Sequence, residues 1–532
     1  MSTGTITDTW KRATTLSKLE DGGCKVFRVS GKQIALFRRG DTILACNNRC
    51  PHEGYPLSEG DLDGNHVLTC NWHNWKFNLE SGENLYGGDR LSVYPVEVRG
   101  DEVWIDLAEQ PLAVRVARIM MQLREAFDEN DYQRMARELA RLGQVGADPL
   151  QAMVSAIHWS HDHLEFGWTH AYAAAADWLL LYDEDAGEPE KQLVCLLESV
   201  AHMADDALRM GSFAFAEESR AYDEDRFVDA IEQEDEATAI ACMRGAIEAQ
   251  LPFEDIEHGL TRAALAHYND FGHSVIYVSK AGRLIHRLGR DVSEPLLLSL
   301  TRSLIYSRRE DRIPEFRRYA STLDAWGQGN AAGTPDMQAW HKLGINKALE
   351  LTASFSNAPV EQLYRALLGA SAGNMLAYDL QQQNKVDIPI SDNVGWLDFT
   401  HGITFSSAVR MQCQKFPELW PAGLLQIACF IGRNASFTES QPDLASWRVG
   451  DMDDFFTRAV AELHDHSCGE FIVSAHLVKT VLAARTEVRA NAPAQVSEYL
   501  AAAINRFLNS PLKRKQARRT AHQAMKFVAM DG

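Results

Sequence analysis

Two different periods of apolar residues divide this chain. Up to about residue 110, short segments alternate apolar and polar residues, as in KVFRVSG, QIALFRRGD, HVLTC and EVWIDL, and turn-forming Gly, Asn and Asp residues separate them. A period of two is typical of half-buried antiparallel strands. The pattern therefore predicts a small antiparallel β domain over residues 1–110.

From residue 111 onwards the apolar period becomes 3.6. The segment Pro111–Phe127 places Val114, Ile119 and Leu123 on one stripe, and similar segments follow as far as Met530, separated by short Gly, Pro, Asn or Asp breaks. This part of the sequence lacks the alternation of strand and helix patterns that a parallel sheet or a β/α barrel requires. We expect an α+β multidomain protein, with the small antiparallel β domain followed by a large all-α domain over residues 111–532.

The charge balance narrows the classes of partner. Asp and Glu number 73 against 53 Lys and Arg, which gives a net charge of −20. Such a surface repels phosphate backbones and anionic lipid, so neither nucleic-acid nor membrane binding is expected. The N-terminus lacks a basic stretch followed by an apolar run, no segment reaches the length of a membrane span, and the cysteines are too sparse for a disulfide framework. These features predict a cytoplasmic protein.

Two short motifs in the β segment carry recognisable chemistry. Cys50-Pro51-His52 and Cys70-Asn71-Trp72-His73 each pair one thiol with one imidazole. Two cysteines and two histidines are the ligands of a Rieske [2Fe-2S] cluster, in which imidazoles replace two thiolates on one iron. A zinc site can use the same four ligands, but zinc fingers pair Cys with Cys and His with His in a shorter unit. The pairing therefore favours the iron–sulfur cluster.

The text around these motifs resembles the Rieske ferredoxin and ring-hydroxylating oxygenase families, in CPHEGYPLSEG, CNWHNWKFNLESGE and YPVEVRGDEVWIDL. The resemblance covers about residues 10–108. It implies a carrier of single electrons in which Cys50 and Cys70 hold the inner iron and His52 and His73 hold the outer one. The additional cysteine pair of the high-potential subfamily is missing from both loops, which predicts a low, ferredoxin-like potential.

Several histidines begin or interrupt apolar helical sequence in the second part of the chain. A buried imidazole without a partner costs about 1–3 kcal/mol, so several of them on separate helices favour one shared metal ion over isolated core positions. Lys479 follows His476 by one helical turn, which puts both side chains on one helix face. The D-x-x-H-x(3,4)-H pattern of mononuclear Rieske oxygenases and the paired E-x-x-H motifs of ferritin-like di-iron proteins are not matched. The candidate imidazoles are those of His170, His267, His273, His401 and His476.

Four of these segments, HGITFSSAV, HLVKTVLAA, AHYNDFGHSVIY and the His170 helix HAYAAAADWLLLY, resemble helices of the questin oxidase-like proteins. That all-α family acts on polycyclic aromatic ketones by oxygen insertion or ring cleavage. The resemblance implies a mononuclear Fe(II) site in which a carboxylated lysine joins the imidazoles. Carried onto this chain, it suggests His170, His267, His401, His476 and Lys479 as ligands, with His273 in place of His267 if the middle helix is shifted.

Two further residues are candidates for supporting roles. Glu165 lies between the His161-Asp162-His163 text and His170, where it could accept a hydrogen bond from a ligand imidazole. Tyr268 could line an apolar substrate pocket.

Together these features predict an O2-dependent oxidoreductase, an oxygenase with a Rieske cluster and a non-haem iron. An external reductase or ferredoxin would supply electrons, and the substrate would be an apolar, cyclic or aromatic small molecule. The cluster and the iron must come close together, within one chain or across a homo-oligomer. The alternative prediction is an electron-transfer or redox-sensing protein whose helices form a docking scaffold without a catalytic metal.

Overall fold

The computed structural model describes residues 9–207, 211–268, 270–513 and 515–530. The first eight residues, on which the expectation about a leader partly depends, lie outside these ranges. The chain divides into two compact units, one up to Ala147 and one from Asp148. The apolar period changes at residue 110, but the structural division falls two helices later.

Three antiparallel sheets form most of the first unit. Their strand orders are β1-β11-β10, β2-β3-β4-β9 and β5-β6-β7-β8. The strands are β1 (Trp10–Thr15), β2 (Cys24–Val29), β3 (Lys32–Arg39), β4 (Thr42–Asn47), β5 (Asp61–Leu62), β6 (Val67–Thr69), β7 (Lys76–Asn78), β8 (Asn84–Tyr86), β9 (Val93–Tyr94), β10 (Val96–Arg99) and β11 (Glu102–Asp106).

Strand β3 is buried on both faces because it separates two apolar clusters. Ile34 and Leu36 pack into one cluster with residues of β11. Ala35 and Phe37 pack into the other, which also contains Cys50 and Cys70. Successive residues of the strand point to opposite faces, as the pleat of a strand requires. One face of β3 therefore packs against the buried cysteines of the two loops.

Two helices complete the first unit, α1 (Leu112–Asp128) and α2 (Tyr132–Gln144). Asp131 caps α2 by accepting a hydrogen bond from the Arg134 amide at 3.0 Å. Arginines of α2 reach Asp89, a fully buried residue of the segment that follows β8.

The second unit is built from helices. They are α3 (Leu150–Ser160), α4 (His170–Glu184), α5 (Pro189–Ala207), α6 (Glu224–Glu232), α7 (Glu236–Glu248), α8 (Phe253–Leu265), α9 (His273–Leu288), α10 (Ser293–Ile305), α11 (Arg318–Asp324), α12 (Ile345–Ser354), α13 (Val360–Leu376), α14 (Trp396–Lys415), α15 (Trp420–Asn434), α16 (Leu444–Trp447), α17 (Met452–Leu463), α18 (Phe471–Arg489), α19 (Ala494–Asn509) and α20 (Ala517–Met530). The predicted fold class, a small antiparallel β domain followed by a large helical region, is confirmed.

Four of these helices form a closed ring, since α4 packs on α9, α9 on α14, α14 on α18 and α18 on α4. Helix α14 is buried along most of its length, and its buried residues include Thr400, Ser406 and Ser407 as well as apolar side chains. A helix buried on nearly all sides belongs to the centre of a helical domain. Within the described ranges, no helix has both the length and the apolar character needed to cross a membrane.

Candidate functional site

The two cysteine-bearing loops of the first unit adopt the same turn. The Gly54 amide donates to the Cys50 carbonyl at 2.8 Å, and the Asn74 amide donates to the Cys70 carbonyl at 3.0 Å. Both donors have a left-handed backbone, with φ of 75° at Gly54 and 61° at Asn74, a conformation that Gly and Asn adopt most readily. Each loop thereby folds back on its cysteine and turns the residues between outward.

The four predicted cluster ligands meet at the tips of these loops. Cys50 and Cys70 are buried, at 4% and 1% exposure, whereas the imidazoles of His52 and His73 lie nearer the surface with ring centroids 4.8 Å apart. Burial, with a contribution from Cys70, raises the pKa of the Cys50 thiol to about 12. The His52 Nδ1 atom is buried and has no hydrogen-bond partner among the described residues. Two thiols beside two imidazoles, one with an unpartnered nitrogen, fit a [2Fe-2S] cluster with mixed ligands.

Aromatic side chains surround the imidazoles. Trp75 stacks on His52 with centroids 4.4 Å apart and planes 13° apart. Trp72 is 60% exposed, lies edge-on to His73 at 5.4 Å, and donates from its indole nitrogen to Glu53 at 3.2 Å. The imidazoles are therefore reachable from solvent at a rim of aromatic and acidic residues, where a redox partner can approach.

A β unit that presents two thiols and two imidazoles on twin loops near its surface defines an iron–sulfur electron carrier. Residues 9–89 match the family model of the Rieske [2Fe-2S] domain. The ferredoxin subunit of 3-phenylpropionate/cinnamic acid dioxygenase from Shigella flexneri serotype 5b (strain 8401) is 41% identical over 78 residues, which are 14% of this chain and 74% of that protein. The Escherichia coli (strain K12) subunit is 40% identical over the same shares. Through its N-terminal unit the chain belongs to the Rieske [2Fe-2S] family.

Among solved structures, the chain is similar to the ferredoxin of carbazole 1,9a-dioxygenase from Nocardioides aromaticivorans IC177. That similarity has 27% identity and a TM-score of 0.18, and it covers 19% of this chain and 98% of that one. The match to the family model and the identity to the ferredoxin subunits confirm the predicted Rieske resemblance, and with it an electron-transfer domain that implies a [2Fe-2S] cluster.

Four imidazoles from the four helices of the ring meet in the second unit. The Nε2 atoms of His170 and His273 lie 3.1 Å apart, and those of His401 and His476 lie 3.0 Å apart. The two pairs face each other, because the ring centroids of His273 and His401 are 4.3 Å apart and those of His170 and His476 are 4.8 Å apart. One ligand nitrogen each from His170, His401 and His476 lie within 4.8 Å of one another.

Helix starts determine where these imidazoles lie. The Thr169 hydroxyl caps α4 by accepting from the Ala171 amide at 3.2 Å, so His170 occupies the first turn. Gly272, with φ of 78°, directly precedes α9 and places His273 at its first position. His401 and His476 lie in the second turns of α14 and α18.

The electrostatic setting favours the neutral form of three of these imidazoles. Burial, reinforced by the Lys479 ammonium and the neighbouring rings, holds the pKa of His170, His401 and His476 well below the usual range. The His476 Nδ1–H donates to the Ile472 carbonyl at 2.6 Å, which leaves a lone pair on Nε2. The His401 Nδ1 is buried without a hydrogen-bond partner in the described parts of the chain. A neutral imidazole binds a transition-metal ion through the lone pair of its free nitrogen, so Nε2 atoms gathered in this way fit such an ion.

Lys479 belongs to a second polar layer beside the imidazoles. It is 1% exposed, and its Nζ has no hydrogen-bond partner among the described residues. It lines a small cavity with Asp177, Lys280 and Thr404, and Lys280 donates to Asp177. Burial lowers the pKa of Lys479 to about 7 and that of Lys280 to about 8. Asp177, Lys280, Thr404 and Lys479 each come after the histidine of the same helix in the sequence. All four helices therefore run from the imidazole layer to this polar layer.

His267 does not join the other imidazoles. Its Nε2 lies 3.0 Å from Glu232 and its Nδ1 lies 3.6 Å from Asp311. The sequence pattern places His267 and His273 on one helical segment, but α8 ends at Leu265 and the chain turns through left-handed conformations at Phe271 and Gly272 before α9 begins. This turn separates the two histidines, so α9 contributes His273, and not His267, to the imidazole group.

The two supporting residues lie in different surroundings. Glu165 is exposed and lines a surface cleft with Phe166, Arg302 and Tyr306. Tyr268 is fully buried against Phe316 and Phe430, and its hydroxyl has no hydrogen-bond partner in the described ranges.

Asp177 and Arg137 have notable contacts that the sequence analysis did not single out. Asp177 is the lone acidic residue inside AYAAAADWLLLY, and an acid in an apolar helix is itself a signal of a buried partner. Arg137 carries no comparable signal, because α2 is rich in arginine.

Proposed function

We propose that this chain is an oxygenase in which the Rieske unit supplies single electrons and the four imidazoles hold a mononuclear non-haem iron. The observation that carries the proposal is the meeting of His170, His273, His401 and His476 through their Nε2 atoms. Without a shared ion, each Nε2–Nε2 contact can hold only one proton as a hydrogen bond, and the His401 Nδ1 has no partner among the described residues. A bound cation would instead accept a lone pair from all four imidazoles at once.

Iron in such a site supplies O2 binding and reduction when electrons reach it. The chain's own residues would hold and orient such an ion. The Ile472 carbonyl fixes the tautomer of His476, and the buried helices exclude water from the side of His401. His170 and His273 are only partly buried, which leaves an approach for a small molecule along α4 and α9.

Lys479 is proposed as a further ligand in its carboxylated form. A buried amine with a depressed pKa is neutral enough to attack CO2, which forms an N–C bond and releases one proton from the nitrogen. The resulting carbamate provides an anionic oxygen donor. The absence of a hydrogen-bond partner for Nζ among the described residues, one helical turn from His476, supports this assignment.

The proposed substrate is an apolar, cyclic or aromatic small molecule. Phe405 follows His401 by one helical turn, and a Cβ on Gly272 would lie 2.3 Å from the Phe405 ring. Phe405 in turn packs on Phe430, 5.3 Å between centroids. Aromatic side chains therefore pack beside the backbone next to His273 and His401. Aromatic surroundings of this kind favour flat apolar molecules.

The proposal includes an electron donor, a reductase or a ferredoxin, and a cytoplasmic location. One solved complex similar to this chain, at 30% identity and a TM-score of 0.18, joins a reduced oxygenase to an oxidized ferredoxin in carbazole 1,9a-dioxygenase. In that complex the ferredoxin and the oxygenase are named as two components, whereas we propose that here carrier and oxygenase share one chain.

Metal content tests the proposal. We expect iron in excess of the two atoms of the cluster, with acid-labile sulfide matching the cluster alone. His401→Ala should remove the additional iron while the paramagnetic resonance signal of the reduced Rieske cluster stays unchanged. The matched control is His286→Ala, because His286 lies on α9, is 54% exposed and pairs with Glu254.

Two outcomes would contradict the proposal. Iron equal to the cluster alone in the unaltered protein would favour the electron-transfer scaffold. Additional iron that persists in both His401→Ala and His476→Ala would place it elsewhere. Consumption of O2 with an electron donor and a panel of polycyclic aromatic ketones then tests the reaction class.

A further inference from the structure

Trp75 connects a cluster ligand to the segment that follows β8. Its indole stacks on His52, and the Gly87 backbone packs against the same indole so closely that a Cβ at Gly87 would lie 2.3 Å from the ring. The position of the indole, and with it the orientation of the His52 ring, therefore depends on how this segment is held.

Asp89 anchors that segment to α2. Its carboxylate is fully buried and accepts from Arg137 Nε at 2.7 Å and Nη2 at 3.1 Å, and from Arg141 Nη2 at 2.6 Å. Burial opposes ionisation, but the two guanidinium groups hold the pKa of Asp89 below its usual range. A bidentate pair of this kind fixes both partners in one geometry. Both arginines lie beyond residue 89, where the match to the Rieske family ends.

Arg137 also approaches the aromatic neighbour of the cluster ligand. Its Cζ lies 6.0 Å from the centroid of the Trp75 ring, at the outer limit of a cation–π contact. The Arg137 guanidinium thus pairs with Asp89 and lies beside the indole that stacks on His52. Reduction adds an electron to the cluster, and a fixed positive charge nearby stabilises the reduced form.

We propose that Arg137 tunes electron transfer by its charge: Asp89 holds the guanidinium beside the Trp75 ring that stacks on His52, and from there its charge raises the reduction potential of the cluster. This role is independent of any metal in the helical unit. It assigns part of the control of the potential to α2, a helix outside the Rieske segment.

Reduction potentials of the cluster in the full chain test this role. At a fixed solution potential, Arg137→Gln should lower the ratio of reduced to oxidised cluster roughly three- to tenfold, as expected for loss of one nearby charge at an intermediate effective dielectric. Arg137→Lys should retain most of the ratio because it keeps the charge. The matched control is Arg118→Gln, the removal of an exposed arginine on α1, which should leave the ratio unchanged.

The contrast between Gln and Lys separates charge from packing. An unchanged ratio in Arg137→Gln, or an equal fall in Arg137→Gln and Arg137→Lys, overturns the proposal. If Arg137→Gln does not retain its cluster iron, Arg141→Gln decides the question, because Arg141 binds the same carboxylate. That variant should shift the ratio in the same direction by a smaller factor, and no shift in it rejects the proposal.

Discussion

Single buried residues carry much of the chemistry in this protein, and Lys479 is the clearest case. Its amine is 1% exposed and lacks a hydrogen-bond partner among the described residues. Transfer of an ammonium group from water to such surroundings is unfavourable, so burial lowers its pKa from 10.5 to about 7. The unfolded chain therefore binds a proton between pH 7 and 10.5 that the folded chain releases.

This difference predicts how a substitution affects stability. In metal-free protein, Lys479→Met should raise the free energy of unfolding by up to about 5 kcal/mol below pH 7, where the folded state must bury the charge. The gain should shrink as the pH rises from 7 towards 10.5, because the unfolded amine then also loses its proton. Chemical unfolding across this pH range measures the effect. The exposed Lys347→Met serves as control, and a gain that does not depend on pH would contradict the explanation.

At the scale of secondary-structure elements, one buried carboxylate ties three helices together. Glu487 of α18 is fully buried and accepts from Tyr364 at 2.9 Å and Arg365 at 3.1 Å on α13. It also accepts from Ser407 at 2.8 Å and Arg410 at 2.9 Å on α14. Since α14 and α18 carry His401 and His476, this network fixes the helices on which half of the imidazole group depends.

Removal of the Glu487 charge should loosen this contact. Glu487→Gln leaves Arg410 and Arg365 without their counter-charge, and the expected loss is about 3–5 kcal/mol in the free energy of unfolding. The exposed pair of Arg448 and Glu498, 3.5 Å apart, provides the comparison, because Glu498→Gln should cost less than about 1 kcal/mol. Denaturant midpoints measure both variants, and equal losses would show that burial of Glu487 does not decide its contribution.

At the scale of the whole molecule, the chain divides after α2. Asp89 ties α2 to the strands of the first unit, since its buried carboxylate pairs with Arg137 and Arg141. A polypeptide that ends at residue 110 keeps every strand but loses both of these cations.

We therefore expect residues 1–147 to form a more stable unit than residues 1–110. An unpaired buried carboxylate costs several kcal/mol, so the shorter polypeptide should unfold at a lower temperature and load less cluster. Thermal unfolding and the visible absorption of the reconstituted cluster test this expectation. Equal unfolding temperatures would show that α1 and α2 contribute nothing to the β unit.

Most of the local structure follows from the sequence pattern because strand and helix periods arise from short-range geometry. The predicted segment Lys25–Gly31 corresponds to β2, and the predicted helix Pro111–Phe127 corresponds to α1. The C-x-H and C-x-x-H motifs lie on two loops that adopt the same turn. The cysteine and histidine of each motif stay together because only one or two residues lie between them.

The sequence by itself determined the two-part fold, the Rieske motifs and the presence of histidines in buried helices, since these depend on neighbours a few positions apart. Only the tertiary structure decided which histidines meet. His273 joins His401 while His267 pairs with Glu232, because a left-handed turn at Phe271 and Gly272 reorients the chain between them. It also decided that arginines of α2 hold Asp89 beside the cluster loops, since packing between distant segments leaves no periodic trace in the sequence.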